Sequence, residues 1–336
     1  MSARVDLRSD TVTRPSTEMR AAMAAAEVGD DVYDEDPEVH ALQDEVAGRL
    51  GFEAGLFVPS GSMGNQLGLR LLAQPGEEIV CDSLAHIARA ELGAAAAFSG
   101  ITFRTWIADR GRLDVDDVVG LIAPSAGPYL VSTVAIAIEN THNFGGGTVQ
   151  SSDQVDAVRK LAADHSLRLH LDGARLWNAH VATGLPLADL AAGFDTASVC
   201  LSKGLGAPIG SVLVSSAERI AEARVWRKRL GAGMRQVGVL AAAGRYALAH
   251  NIDRLADDHR RARRLAAGLG ADPATVDTNI VVLDVADAAA VARQAGEAGV
   301  LVSALGPRFL RLVTHLDVDD AGIERAIAVL APLVGA

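Results

Sequence analysis

Short β-rich runs alternate with amphipathic helical stretches along most of this 336-residue chain, and that alternation restricts the fold more than any other feature. Residues 79–81, 101–106, 130–138, 167–171, 196–201 and 209–214 are β-rich over strand-like lengths. Between them, residues 63–72 and 152–163 carry apolar side chains at helical spacing. Strands linked through helices favour parallel pairing, so the pattern predicts an α/β fold with a mainly parallel sheet and helices on both faces. The last third changes character. Two helical stretches, 237–250 and 254–269, precede a smaller α/β unit with strand candidates at 280–283, 300–302 and 309–313 and a closing helix from 319 to about 333. The expected division is a large domain over residues 1–250, including the N-terminal segment, and a small C-terminal domain over 251–336.

Composition narrows the partners. Hydrophobic residues make up 49% and charged residues 22%, a globular balance that supports a large core. A formal charge of −11 gives no general attraction to nucleic acid or to an anionic membrane, and neither is expected as a partner. Any phosphate has to be held by a local cluster. The two cysteines, Cys81 and Cys200, are far apart and form no CxxC pair, which argues against a disulfide scaffold or a zinc site; no metal is expected. Residues 1–8 lack the apolar core of a signal peptide, and apolar runs such as 131–138 are too short to span a bilayer. A cytoplasmic location is the expectation.

Two strand ends carry the chemistry. His170-Leu171-Asp172-Gly173-Ala174-Arg175 places an acid at the carboxyl end of a buried strand, the edge where ligands collect in open α/β sheets. Alone, Asp172 is equally well explained as a helix cap. The next strand ends in Leu201-Ser202-Lys203-Gly204-Leu205-Gly206. A lysine there can snorkel to solvent, but the glycines do not fit a dinucleotide fingerprint, and the lysine precedes them rather than following as in a Walker loop. An amine can form a Schiff base with an aldehyde cofactor, and pyridoxal phosphate (PLP) needs a carboxylate beside its pyridine nitrogen. Lys203 and Asp172 supply that pair from consecutive strands. A third element, Pro59-Ser60-Gly61-Ser62-Met63-Gly64-Asn65-Gln66, is a small-residue turn opening a helix, which suits phosphate as well as an ordinary serine cap. His86, with Glu91 five residues on, stands after another strand, where an imidazole could stack on a cofactor ring, move protons or simply lie at the surface.

With these segments in view, the chain resembles the low-specificity L-threonine aldolases, PLP enzymes of fold-type I, along nearly its whole length. Further segments carrying the resemblance are residues 6–13, 29–33, Glu139-Asn140-Thr141-His142-Asn143, Gly233-Met234-Arg235-Gln236 and Arg311-Leu312-Val313-Thr314-His315. The resemblance implies a large domain of the aspartate aminotransferase type built on a seven-stranded sheet. It implies Lys203 as the Schiff-base lysine, Asp172 at the pyridine nitrogen and His86 against the ring. Gly61 and Ser62 would bind the phosphate through their backbones, helped by Lys228 and Arg235 from a neighbouring subunit. Ser9, Arg175 and Arg311 would hold the substrate carboxylate, to which guanidinium forks are suited, and His142 would stand near the substrate β-hydroxyl. Arg175 also counts among the cofactor contacts. Lys203, His86, His142 and Asp172 are thus the expected catalytic set, and the partners are a small β-hydroxy-α-amino acid and further copies of the chain, as a dimer or tetramer with shared sites.

There are three departures from the family pattern: Asp34 stands where glycine is usual, Ser62 where threonine is usual, and the loop Phe144-Gly145-Gly146-Gly147 is less polar than expected. The implied reaction is retro-aldol cleavage of L-threonine, L-allo-threonine and related compounds to glycine and an aldehyde. The sequence leaves the base open among His86, His142 and a water held by Glu91. Other PLP reactions on small amino acids (β-elimination, racemisation, transamination) would use the same Lys203 and Asp172, whereas a catalytically silent binding protein is disfavoured by the presence of lysine, acid and arginines together.

Overall fold

The computed structural model describes residues 4–335; Met1, Ser2 and Ala3 of the N-terminal stretch lie outside the described residues. The strands are β1 (Val5–Asp6), β2 (Ala54–Val58), β3 (Glu78–Asp82), β4 (Thr102–Trp106), β5 (Thr133–Glu139), β6 (Arg168–Gly173), β7 (Thr196–Cys200), β8 (Ser211–Ser215), β9 (Ile280–Asp284), β10 (Val300–Leu301), β11 (Ser303–Ala304) and β12 (Phe309–Val313). Seven of them form one sheet in the order β2-β8-β7-β6-β5-β3-β4. Pairing is parallel from β4 through β7, while β8 runs antiparallel to both of its neighbours. The reversal follows from connection length: the loop between Cys200 and Ser211 holds no helix, and a parallel return needs a crossover of a dozen residues or so. That loop contains Lys203.

Of the four hydrophobic core clusters among the described residues, the two largest are separate. The larger draws on Ile136, Leu171, Val199, Trp177 and Val212 around the central sheet. The smaller joins Leu265, Val281, Leu310, Leu312 and Ile323 with Val5 and Leu7 from the start of the chain. Strand β1 pairs in parallel with β10, and the Val313 amide donates to the Leu7 carbonyl (2.8 Å). The N-terminal segment therefore begins in the smaller unit and then crosses to the larger, where Thr13 Oγ1 donates to the Lys203 carbonyl (3.0 Å).

Strand β5 starts at Thr133 rather than 130, because Tyr129, Leu130 and Val131 are exposed and outside the sheet. Strand β2 was not among the sequence-predicted strands. Its five residues include Gly55, and it gains its place from pairing with β8 and from Gln43 Oε1 accepting the Phe57 amide (2.9 Å).

Candidate active site

The helix Gly61–Arg70 lies flush against the sheet because one of its faces is made of glycine. A Cβ at Gly64 would come within 2.2 Å of Ser198 Oγ on β7, and one at Gly68 within 2.6 Å of the His170 ring on β6. This close approach sets the helix start at the carboxyl edge of the sheet. Ser60 caps it, its hydroxyl accepting from the Met63 amide (3.2 Å). The Gly61 and Ser62 amides belong to the first turn, whose N–H groups lack intrahelical acceptors and face incoming anions.

Beside that turn is a cavity of about 270 Å³ whose wall includes Gly61, Ser62, Asn65, His86, Asp172 and Lys203. Larger clefts exist near Arg4, near Arg263 and near Phe144, but none of them gathers an amine, an acid and an imidazole. Asp172 is buried, with both oxygens accepting: Oδ1 from the Ala174 amide (3.1 Å) and Oδ2 from Asn65 Nδ2 (2.8 Å). Lys203 reaches the same space from the β7–β8 loop.

His86 opens the short helix His86–Arg89, its amide donating to Glu139 Oε2 (2.7 Å). Its Nδ1 lies 2.8 Å from Oε1 of the buried Glu91. Glu91 also accepts from Asn65 Nδ2 (2.9 Å) and Gln66 Nε2 (2.6 Å), so it acts as an acceptor throughout, and His86 Nδ1 carries the hydrogen. The lone pair of neutral His86 is then on Nε2. Burial pulls the His86 pKa down, but the Glu91 hydrogen bond and the charges of Asp172, Glu91 and Glu139 outweigh it and leave the value above that of an ordinary imidazole.

Next to the cavity wall residues Thr11 and Ala174 stand their chain neighbours Asp10 and Arg175, both buried. Arg175 grips Asp10 with two parallel bonds, Nε to Oδ2 (2.8 Å) and Nη2 to Oδ1 (2.7 Å). Its remaining Nη1 donates to Asn143 Oδ1 (3.1 Å), which also accepts from Arg311 Nη1 (2.8 Å). Arg311 is different. Its Nη2 reaches the Arg8 carbonyl (3.2 Å), its Nε has no hydrogen-bond partner, and among the described residues no carboxylate pairs with it. Burial, reinforced by the like charge of Arg175, pushes its pKa down to about 10 against the opposing pull of Asp10. The two arginines therefore differ in what they can offer a ligand: Arg175 is committed to Asp10, whereas Arg311 is a desolvated cation without a counter-ion.

The other expected residues are placed as follows. Ser9 caps a short turn, with its hydroxyl taking the Thr11 amide (3.2 Å), and Thr11 rather than Ser9 lines the cavity. His142 is buried and does not line the cavity; Nδ1 accepts the Gly145 amide (3.0 Å), Nε2 lies 3.3 Å from Asp82 Oδ1, and the ring packs on Gly111. Neither Lys228 nor Arg235 reaches this chain's own cavity: Lys228 lies on the helix Ala217–Arg229, and the exposed Arg235 donates to Asp30 (3.3 Å). Asp34 has φ 61° and ψ 41°, the left-handed region, which accounts for glycine at this position in the family and for Asp as a tolerated substitute.

Residues that sequence reasoning did not single out include Asp10, Asn65, Glu139 and Asn143. Asn65 had a readable signal: Gly61, Gly64 and Gly68 share one helix face, which puts residue 65 beside it at the sheet edge.

The beta-eliminating lyase family matches residues 6–288. The low specificity L-threonine aldolase of Escherichia coli (strain K12) is 43% identical over 330 residues, covering 96% of this chain and 97% of the relative. A threonine aldolase structure from Leishmania major superposes with a TM-score of 0.85 at 22% identity, over 98% of this chain and 99% of the other. An aspartate aminotransferase double mutant from Thermus thermophilus gives 0.75 at 16% identity, over 98% and 92%. These two structures share the expected fold; the family match and the sequence identity show that the chain belongs to the beta-eliminating lyase family, alongside the low-specificity L-threonine aldolases.

Proposed function

We propose that this chain cleaves β-hydroxy-α-amino acids, threonine and allo-threonine among them, to glycine and an aldehyde, using PLP held through Lys203. The residues fit the cofactor. One cavity offers an amine, an acid with both oxygens accepting, an imidazole and an anion-ready helix start. When bound, PLP supplies an aldehyde carbon for amines and a ring that accepts electrons. Asp172 would face the pyridine nitrogen, and the Gly61 and Ser62 amides the phosphate.

The observation that carries the reading is Arg311, a buried guanidinium that among the described residues pairs with no carboxylate and is joined through Asn143 to Arg175, the chain neighbour of the cavity residue Ala174. A substrate carboxylate completes it, and fixing the carboxylate fixes which bond at the α-carbon is presented for cleavage. Arg175 contributes by holding Asn143 and Asp10 in place. His86 Nε2 removes the β-hydroxyl proton, because Glu91 ties the opposite nitrogen. His142 has no comparable free lone pair: its Nδ1 is occupied by an amide and its Nε2 faces an acid.

The reading is tested by incubating the protein and PLP with threonine and with allo-threonine, and measuring acetaldehyde and glycine. The family's name keeps β-elimination as the second reading; 2-oxobutanoate and ammonia as the products from these four-carbon substrates would establish it in place of aldol cleavage. We expect the homo-oligomer with Lys228 and Arg235 serving a neighbouring site, and full activity in a monomer on gel filtration would exclude that arrangement.

Replacing His86 by Phe is expected to lower turnover by on the order of 10²-fold. A base acts in its neutral form, so kcat/KM should rise with pH through a midpoint above 6.5, the ordinary value from which His86 is raised. Glu91→Gln removes one of the groups that raise it, and the midpoint should move to lower pH. A midpoint unmoved by Glu91→Gln would take the proton transfer away from His86.

A further inference from the structure

Behind the cavity, five polar side chains form a continuous buried chain: Thr196 on β7, His170 on β6, Asn65 on the helix Gly61–Arg70, then Asp172 and Glu91. Its direction is fixed by donor and acceptor chemistry. Asn65 Nδ2 stands 2.8 Å from Asp172 Oδ2 and 2.9 Å from Glu91 Oε1, so each amide hydrogen meets an acid oxygen. The Asn65 oxygen is then left facing His170 Nε2 at 3.2 Å, and it needs a donor there. His170 is fully buried, and burial, against the smaller effect of the Asp172 charge, pushes its pKa down to about 4; near neutral pH it carries a single N–H. That hydrogen is on Nε2. Nδ1 is left bare and accepts the Thr196 hydroxyl at 2.8 Å.

Reversing the Asn65 amide would set its oxygen against two acceptor oxygens and leave its hydrogens facing the His170 N–H. Space alone would permit either orientation, since the two ends of an amide are nearly the same size. Hydrogen-bond polarity permits only one.

We propose that Asn65 is a positioning residue: its amide bridges Asp172 and Glu91, and His170, donating from Nε2, holds that amide in the one orientation that serves both acids. Asp172 is thereby fixed for the pyridine nitrogen, and through Glu91 the same amide fixes the His86 ring. The role given to Asp172 rests on the PLP reading above; the direction of the Thr196–His170–Asn65 relay does not.

Two measurements test it. In the full-length, cofactor-free protein with ¹⁵N-labelled histidine, His170 is expected as the neutral Nε2–H tautomer at pH 7. An Nδ1–H tautomer would mean that the amide points the other way, and it overturns the proposal. In the second measurement PLP affinity is compared between the wild type, Asn65→Leu and Asn65→Asp, with circular dichroism to establish folding. Asn65→Asp keeps the shape and loses both donors. Its Kd for PLP should rise about tenfold or more, the scale of a hydrogen bond to a charged group; wild-type affinity in a folded Asn65 variant overturns the proposal. Thr196→Val removes only the hydroxyl at the remote end and, because the two acids already fix the Asn65 amide, should leave His170 in the Nε2–H form; an Nδ1–H form in that variant would show that the hydroxyl rather than Asn65 sets the tautomer, and it overturns the proposal. An Asp172→Asn control separates the two readings. If it binds PLP and turns over like the wild type, the cofactor role of Asp172 fails, while the His170 spectrum still decides the orientation of Asn65.

Discussion

Lys203→Ala is expected to end turnover, with a loss on the order of 10⁴-fold or more. Among the described residues, it is the only lysine lining the cavity that holds Asp172, so no second amine can take over the aldehyde. The variant should still fold. Its side chain is only partly buried, and the contact that anchors the loop runs through its backbone carbonyl to Thr13, which alanine retains. Borohydride treatment followed by mass spectrometry should find cofactor fixed to residue 203 in the wild type and none in the variant. Cofactor fixed at another lysine, or substantial aldol cleavage by the variant, would remove Lys203 from its assigned position.

The second large effect concerns stability. Asp10→Ala strands the buried Arg175 guanidinium, and breaking one side of a buried ion pair costs about 3–5 kcal/mol. Urea unfolding of the variant should show it as a lower midpoint at similar slope. Substituting Arg175→Met as well should recover much of the loss, because no uncompensated charge remains. Additive losses in the double variant would show that the pair is not coupled. Burial works against the Asp10 charge, yet Arg175's charge and hydrogen bonds, with help from Lys203 and Asn279, hold its carboxyl well below the usual carboxylate range. The sign follows: the pair's contribution is complete above the ordinary Asp value and is lost only as pH falls through the depressed one.

Much of the fold was legible because period and length are local properties. The strands around residues 79–81, 196–201 and 309–313 were apparent as short β-rich runs, and Asp172 and Lys203 drew notice from their positions at strand ends. What escaped was set by distant partners. The strand Ala54–Val58 is short and contains Gly55; only pairing with β8 defines it. Strand β1 is a two-residue pairing with a segment from the far end of the chain. Asp10 and Asn143 are ordinary loop residues by sequence, and become significant only where two guanidiniums converge on them. The unequal state of Arg175 and Arg311 was equally hidden, because an arginine's type does not reveal whether an acid already occupies it. The glycine face of the helix Gly61–Arg70 was in plain sight, and its meaning depended on knowing that β6 and β7 lie beneath it.

The pairing of β1 with β10, and the bond from Arg311 to the Arg8 carbonyl across 303 residues of sequence, have a consequence for biosynthesis. The segment bearing Asp10 is made well before the partners that seat it against the smaller unit, which follow about 300 residues later. During translation the larger unit can condense around its sheet while its opening stretch stays unanchored. The contact between Arg8 and Arg311 is therefore assembled late, once two segments far apart in the sequence have met.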